Sequence, residues 1–182
     1  RLNAGACLAL EHPADADIVI GVPDSGIDAA IGYSRQSGIP YGIGFIKNKY
    51  IGRTFIAPGQ NFRENKVKIK LNTIAKTVKD KRVILVDDSI VRGTTSARIV
   101  KLLKDAGAKE VHMRVSAPPF IDACYYGTDI DSKETLIACN HSLEDIKKII
   151  GVDSLGYLSI ESLPLLICGK NTSNFCSACF TS

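Results

Sequence analysis

No run of apolar residues in this chain approaches the length needed to cross a bilayer. The opening RLNAGACLALEHP also lacks the charged, apolar and small-residue order of a secretory leader. Membrane-spanning and exported classes are therefore not expected, and a soluble cytoplasmic protein is. Charge of one sign is scarce as well: 23 Lys and Arg stand against 19 Asp and Glu, a formal balance of +4. That is too mild to point to nucleic acid, so an anionic partner should be a small molecule. No internal repeat, low-complexity linker, helix-turn-helix pattern or basic arm is visible. The three histidines, His12, His112 and His141, show neither metal spacing nor a triad pattern, and His112 alternates within a strand-like segment, as a structural residue would.

What is present is a chain of 182 residues with 45% hydrophobic content, enough for one domain with a substantial core. Because it starts at Arg1 rather than Met and stops at CFTS, it is read as a piece of a longer chain. The six cysteines sit in a sequence too long and apolar-cored for a disulfide scaffold, so reduced thiols or metal ligands are expected. The triplet Asn171-Thr172-Ser173 matches a glycosylation acceptor only in form.

Periodicity gives the order of elements. DIVIGVP, from Asp17 to Pro23, is a continuous apolar run of the kind found in buried parallel strands. A helix follows, with Ile27, Ala30 and Ile31 on one face and Ser25 as N-cap candidate. PYGIGF (Pro40 to Phe45), Val83 to Val86, and EVHMRVSAPP supply further strands; a helix from about Thr95 to Asp105, ending at Gly107, links the last two. This alternation predicts an α/β fold: a central, mostly parallel sheet flanked by helices. Residues 120–182 read differently, as a small helical C-terminal part built from SKETLIA, SLEDIKKII and SIESLPLLI, the second with Ser142 and Asp145 in a capping-box-like arrangement. Ile46 to Leu71 is long and basic for a connection and suits either a lid or a solvated hairpin.

The most informative stretch is VILVDDSIVRGTTSARIVKLL, from Val83 to Leu103. Ligands of open parallel sheets bind beyond the carboxyl ends of the strands, which is where Asp87 and Asp88 stand. Adjacent carboxylates repel, and a sugar diol or Mg²⁺ would offset that cost. Arg92, Gly93, Thr94, Thr95 and Ser96 then open a helix, whose orphan N–H groups and positive dipole end suit a phosphate. Acids for a ribose beside a nest for a phosphate describe a ribose 5-phosphate pocket; ordinary turn chemistry explains either half, but not both together. VPDSG, from Val22 to Gly26, ends the first strand in a similar way with Asp24 and Ser25, although alone it is a common turn.

VILVDDSIVRGTT resembles the phosphoribosylpyrophosphate signature of type I phosphoribosyltransferases, and KNKYIGRTFIAPGQ, VPDSG and YGTDI resemble the glutamine-dependent amidotransferase branch of that superfamily. The similarity runs from about Ala4 to Thr181. It implies a type I phosphoribosyltransferase fold over 1–182 with a long flexible lid, and transfer of ammonia to C1 of 5-phosphoribosyl-1-pyrophosphate, giving 5-phosphoribosylamine and pyrophosphate at the start of purine synthesis.

By the same resemblance, Asp87 and Asp88 would hold the ribose hydroxyls and Mg²⁺, and Ser25, between Asp24 and Gly26, would serve the pyrophosphate and the metal. Ser89 and Arg92 to Ser96 would bind the phosphoribosyl group, and Lys47, Tyr50 and Arg53 would belong to the lid, with Lys47 and Arg53 in catalysis. Cys124, Cys176 and Cys179 resemble three ligands of a [4Fe–4S] cluster, the fourth lying before Arg1; paired core thiols are the alternative for the CSAC motif, and Cys139 and Cys168 are read as core. The resemblance further implies a glutaminase domain, absent here, that supplies ammonia from glutamine. Purine nucleotide inhibitors and a homo-oligomer, dimer or tetramer, are implied too. A phosphoribosylpyrophosphate-sensing regulator and a nucleobase phosphoribosyltransferase remain as alternatives.

Overall fold

The computed structural model describes residues 1–48, 71–124, 126, 130, 132–167 and 176–181. In chain order these form α1 (Leu2–Glu11), β1 (Ile18–Gly21), α2 (Ile27–Ser37), β2 (Phe45–Lys47), β3 (Leu71–Thr73), α3 (Ala75–Val78), β4 (Arg82–Asp87), α4 (Thr94–Asp105) and β5 (Glu110–Val115). A 3₁₀ turn (Lys133–Thr135), α5 (Ile137–Asn140), α6 (Leu143–Ile150), β6 (Ser154–Tyr157), a second 3₁₀ turn (Leu163–Ile167) and α7 (Ala178–Thr181) follow. Among the described residues no helix is long and apolar enough to cross a membrane.

The principal sheet has the order β1-β4-β5-β6, and every neighbouring pair is parallel. Parallel strands need covering on both faces, and alternation along β1, β4 and β5 provides for it. Ile18, Ile20, Val83, Leu85, Val111 and Met113 face one core, shared with Ile99 and Leu103 of α4 and Ile146 and Ile150 of α6. Val19, Ile84 and Val86 face the other, packed on Ala29, Ala30 and Tyr33 of α2 and Ala4 and Leu8 of α1.

Helix α1 emerges only in the structure, since RLNAGACLALEHP is weakly amphipathic. It packs on α2 through glycines: a Cβ at Gly5 would lie 1.8 Å from the Ala29 carbonyl oxygen, and one at Gly32 would lie 2.0 Å from that of Leu2. Backbone meets backbone there, so neither site can yield by moving a side chain. Gly5→Ala is expected to cost about 2 kcal/mol or more through overpacking, read as a lowered denaturation midpoint; an unchanged midpoint would show that the two helices can separate freely.

Three sequence-based expectations change. The segment from Pro40 to Phe45 pairs with β1 only as an isolated bridge at Tyr41 opposite Val19. Gly42 and Gly44 then carry the chain across the side chains of Ile18 and Ile20, where a Cβ would fall 2.5 and 2.6 Å from their Cδ1 atoms. The true strand β2 begins at Phe45 and pairs antiparallel with β3. Ser25 does not cap α2, whose N-cap is Gly26 without a side-chain bond. The expected cap at Ser142 is present, its hydroxyl accepting from the Asp145 N–H at 3.2 Å. Within the C-terminal part expected to be helical, SLGY forms β6 and completes the sheet.

Candidate active site

Parallel strands present their carboxyl ends at one edge, so the loops after β1 and β4, which are neighbours, open side by side. They also touch through main chain. The Val22 N–H donates to the Val86 carbonyl at 2.9 Å, the Gly26 N–H donates to the Val22 carbonyl at 2.9 Å, and a Cβ at Gly26 would lie 2.4 Å from the Val86 oxygen. Only glycine allows this approach. The Pro23–Asp24 peptide is cis. Asp24 is exposed and paired with Lys47 of β2, which brings the base of the expected lid to the β1 loop. The half-buried Ser25 offers its carbonyl to Arg1 Nη1 at 3.2 Å.

At the end of β4, Asp87 is 6% exposed and Asp88 is exposed. Burial, and then the neighbouring Asp88 charge, push the Asp87 carboxyl up to about 8. The Asp88 N–H donates to Asp87 Oδ1 at 2.9 Å and works in the opposite direction. The half-buried Ser89 and exposed Arg92 lead into Gly93, which caps α4 at φ 77° without a side-chain bond. The first intrahelical bond of this helix runs from the Ala97 N–H to the Gly93 carbonyl at 2.9 Å. The N–H groups of Thr94, Thr95 and Ser96 therefore belong to the turn that has no intrahelical acceptor. Thr94 and Thr95 are exposed, while Ser96 is buried.

One edge thus gathers Asp24, Ser25, Gly26, Lys47, Asp87, Asp88, Ser89 and the Arg92 to Ser96 turn. Tyr50 and Arg53 lie outside the described residues, as does Cys168. The cysteine candidates form a separate group. Burial raises the Cys179 thiol, and Cys124 and then Cys176 push it the same way. Among the described residues, however, no three His, Cys, Asp or Glu side chains are gathered as a metal-binding set. Cys139, expected in the core, is half-buried beside Phe120 and Leu136 and donates its thiol hydrogen to the Ile121 carbonyl at 3.1 Å. His112 is structural, bonded to Ser154 Oγ and Glu110 Oε2, each at 3.0 Å.

One neighbour of the site carries no signal in the sequence. The side chain of Ile137 lies against Gly93, its Cδ1 2.5 Å from where a Cβ would be.

A parallel sheet with acids at one strand end and a glycine-started helix beside them is the layout of a phosphoribosyl-binding fold. The profile of the Phosphoribosyl transferase domain matches residues 8–154, and the chain belongs to that family. More narrowly, the chain is 56% identical over 179 residues to the amidophosphoribosyltransferase of Methanothermobacter thermautotrophicus, covering 98% of this chain and 38% of that protein. It is 52% identical over 184 residues to the Bacillus subtilis amidophosphoribosyltransferase, covering 100% of this chain and 39% of that one. The solved Bacillus subtilis glutamine phosphoribosylpyrophosphate amidotransferase, complexed with ADP and GMP, superposes with a TM-score of 0.87 at 52% identity, over 99% of this chain and 40% of that chain. The chain spans about two fifths of the length of these relatives. The fold is the type I phosphoribosyltransferase fold.

Proposed function

We propose that this chain is the phosphoribosyl-transferring part of an amidophosphoribosyltransferase. It binds 5-phosphoribosyl-1-pyrophosphate and transfers ammonia to C1, releasing pyrophosphate and forming 5-phosphoribosylamine, the first step of de novo purine synthesis. The observation that carries this is the buried Asp87 beside the exposed Asp88, facing the same strand edge as the Gly93 turn, in a chain so similar to named amidophosphoribosyltransferases.

The Gly93 to Ser96 turn takes the 5-phosphate on its N–H groups, and Asp87 and Asp88 take the ribose hydroxyls. Gly26 and Ser25 lie where the pyrophosphate extends. The set Asp87, Asp88 and Ser25 consists of hard oxygen donors, which suit Mg²⁺, and a bound cation would offset the burial and the Asp88 charge that disfavour ionised Asp87. When bound, the ion neutralises charge on the leaving group. The C1–O bond breaks toward pyrophosphate, a C1–N bond forms to ammonia, and the ammonium product gives up one proton. No protein nucleophile is needed. Lys47, now paired with Asp24, stands close enough to the loop to turn its charge to the pyrophosphate. Arg53 and Tyr50 complete the lid in this scheme, excluding water that would compete with ammonia.

In the longer relatives' setting, ammonia comes from glutamine through a second, glutaminase domain. Cys124, Cys176 and Cys179 would supply three ligands of a [4Fe–4S] cluster, each thiol releasing its proton to solvent as iron binds, although among the described residues these side chains are not gathered as a metal-binding set. Purine nucleotides inhibit at the phosphoribosyl edge, as ADP and GMP accompany the Bacillus subtilis enzyme, in a cytoplasmic homo-oligomer.

The test is pyrophosphate release from phosphoribosylpyrophosphate with Mg²⁺ and ammonia. Turnover with ammonia is expected. Turnover with purine or pyrimidine bases instead would identify a nucleobase transferase, and tight binding with no product would identify a sensor.

A further inference from the structure

We propose that Ile137 is the positioning residue for the phosphate-receiving turn, an assignment that rests on the function proposed for that turn above. Ile137 holds the turn by two independent contacts. Its backbone N–H donates to the Val91 carbonyl at 2.9 Å. Its Cδ1 occupies the space over Gly93 that a Cβ would enter, 2.5 Å from that point, followed by its own Cγ1 at 3.8 Å and Ile150 Cγ1 at 3.9 Å. Gly93 is the residue whose left-handed φ of 77° starts α4, so its rotation directs the N–H groups of Thr94 to Ser96.

The residue is itself firmly seated. Ile137 is 5% exposed. Its neighbour Leu136 is fully buried with Phe120 and Ile130, and Val91 packs on the same cluster. The Cys139 thiol, two residues on, ties this segment to the Ile121 carbonyl at 3.1 Å. The C-terminal part therefore braces the turn from behind, while the β1 loop is braced by Val86 on β4. The two ends of the proposed ligand are held by different parts of the chain, and a defect at Ile137 should loosen one end only.

The experiment measures binding of ribose 5-phosphate and of pyrophosphate, each with Mg²⁺, to the full chain and to Ile137→Val, Ile137→Ala and Ile137→Leu. Val deletes only the Cδ1 that meets Gly93 and keeps the backbone bond, so it remains informative should Ala fail to fold. Ribose 5-phosphate affinity is expected to fall about threefold in Val and about tenfold in Ala, with Leu within about twofold of wild type. Pyrophosphate affinity and kcat at saturating phosphoribosylpyrophosphate should stay within about twofold throughout. Equal weakening of both ligands, or no change in either for Val and Ala, overturns the assignment. A wild-type chain that binds neither ligand overturns the functional proposal itself and the assignment with it.

Discussion

Replacing Asp87 and Asp88 together by asparagine is expected to lower ammonia-dependent pyrophosphate release by about a thousandfold or more, the scale of losing a preorganised electrostatic site. The fold should not suffer. Asp87 is buried at the end of β4, between its fully covered neighbour Val86 and its fully covered cross-strand partner Val115 on β5, and a neutral amide of the same shape removes the desolvation that raises its carboxyl. The double variant should therefore melt at or above the wild-type temperature while losing turnover. If turnover survives within about tenfold, the two acids do not hold the ligand.

Stability of the unliganded protein should fall as the pH is raised, and Asp87 should account for much of the fall. Its carboxyl titrates near 8 in the fold against 3.8 ordinarily, so the folded state keeps a proton that the unfolded chain gives up. The resulting stabilisation is complete below the unfolded value and disappears as the pH climbs through about 8. Its size is on the order of 6 kcal/mol at most. Denaturation curves between pH 4 and 9 would measure it, and Asp87→Asn should flatten the dependence. A variant as pH-sensitive as the wild type would place the responsible group elsewhere. Mg²⁺ with phosphoribosylpyrophosphate should oppose the fall, because a cation there favours the ionised carboxylate.

The placing of the candidate residues Asp87, Asp88 and Gly93 at one strand end was legible because its signal is local. Asp87, Asp88 and Gly93 follow one apolar strand within a few residues, and strand, acids and helix start each obey a chemical rule that operates over short range. The same is true of Val22 to Gly26. The parts that could not be read depend on contacts between distant segments. Helix α1 is held by Gly5 and Gly32 against carbonyls of α2 and α1, and two glycines announce no helix. Strand β6 is four residues of mixed character whose pairing with His112 to Val115 exists only once the sheet forms. Ser25 has the composition of a cap, yet the close approach of Gly26 to Val86 sets the start of α2 one residue later. Arg114 is the plainest case. It lies 3% exposed on β5, on the face where alternation with Val111, Met113 and Val115 suggests an exposed polar residue, and donates to the carbonyls of His12 and Met113 and to Ser154 Oγ. Tyr33 donates to the same His12 carbonyl, so the end of α1 and its negative dipole end supply the partner that no nearby residue in the sequence could reveal.

The β1 loop is fastened to the end of β4 through main-chain atoms. Neither the Val22–Val86 bond nor the fit of Gly26 against the Val86 oxygen involves a side chain. The gap between the two loops is thus a fixed gauge, indifferent to what Asp24, Ser25, Thr94 or Thr95 happen to be. Directed libraries can recolour those four positions to favour altered sugars or leaving groups without resizing the jaw, provided Gly26 is left alone.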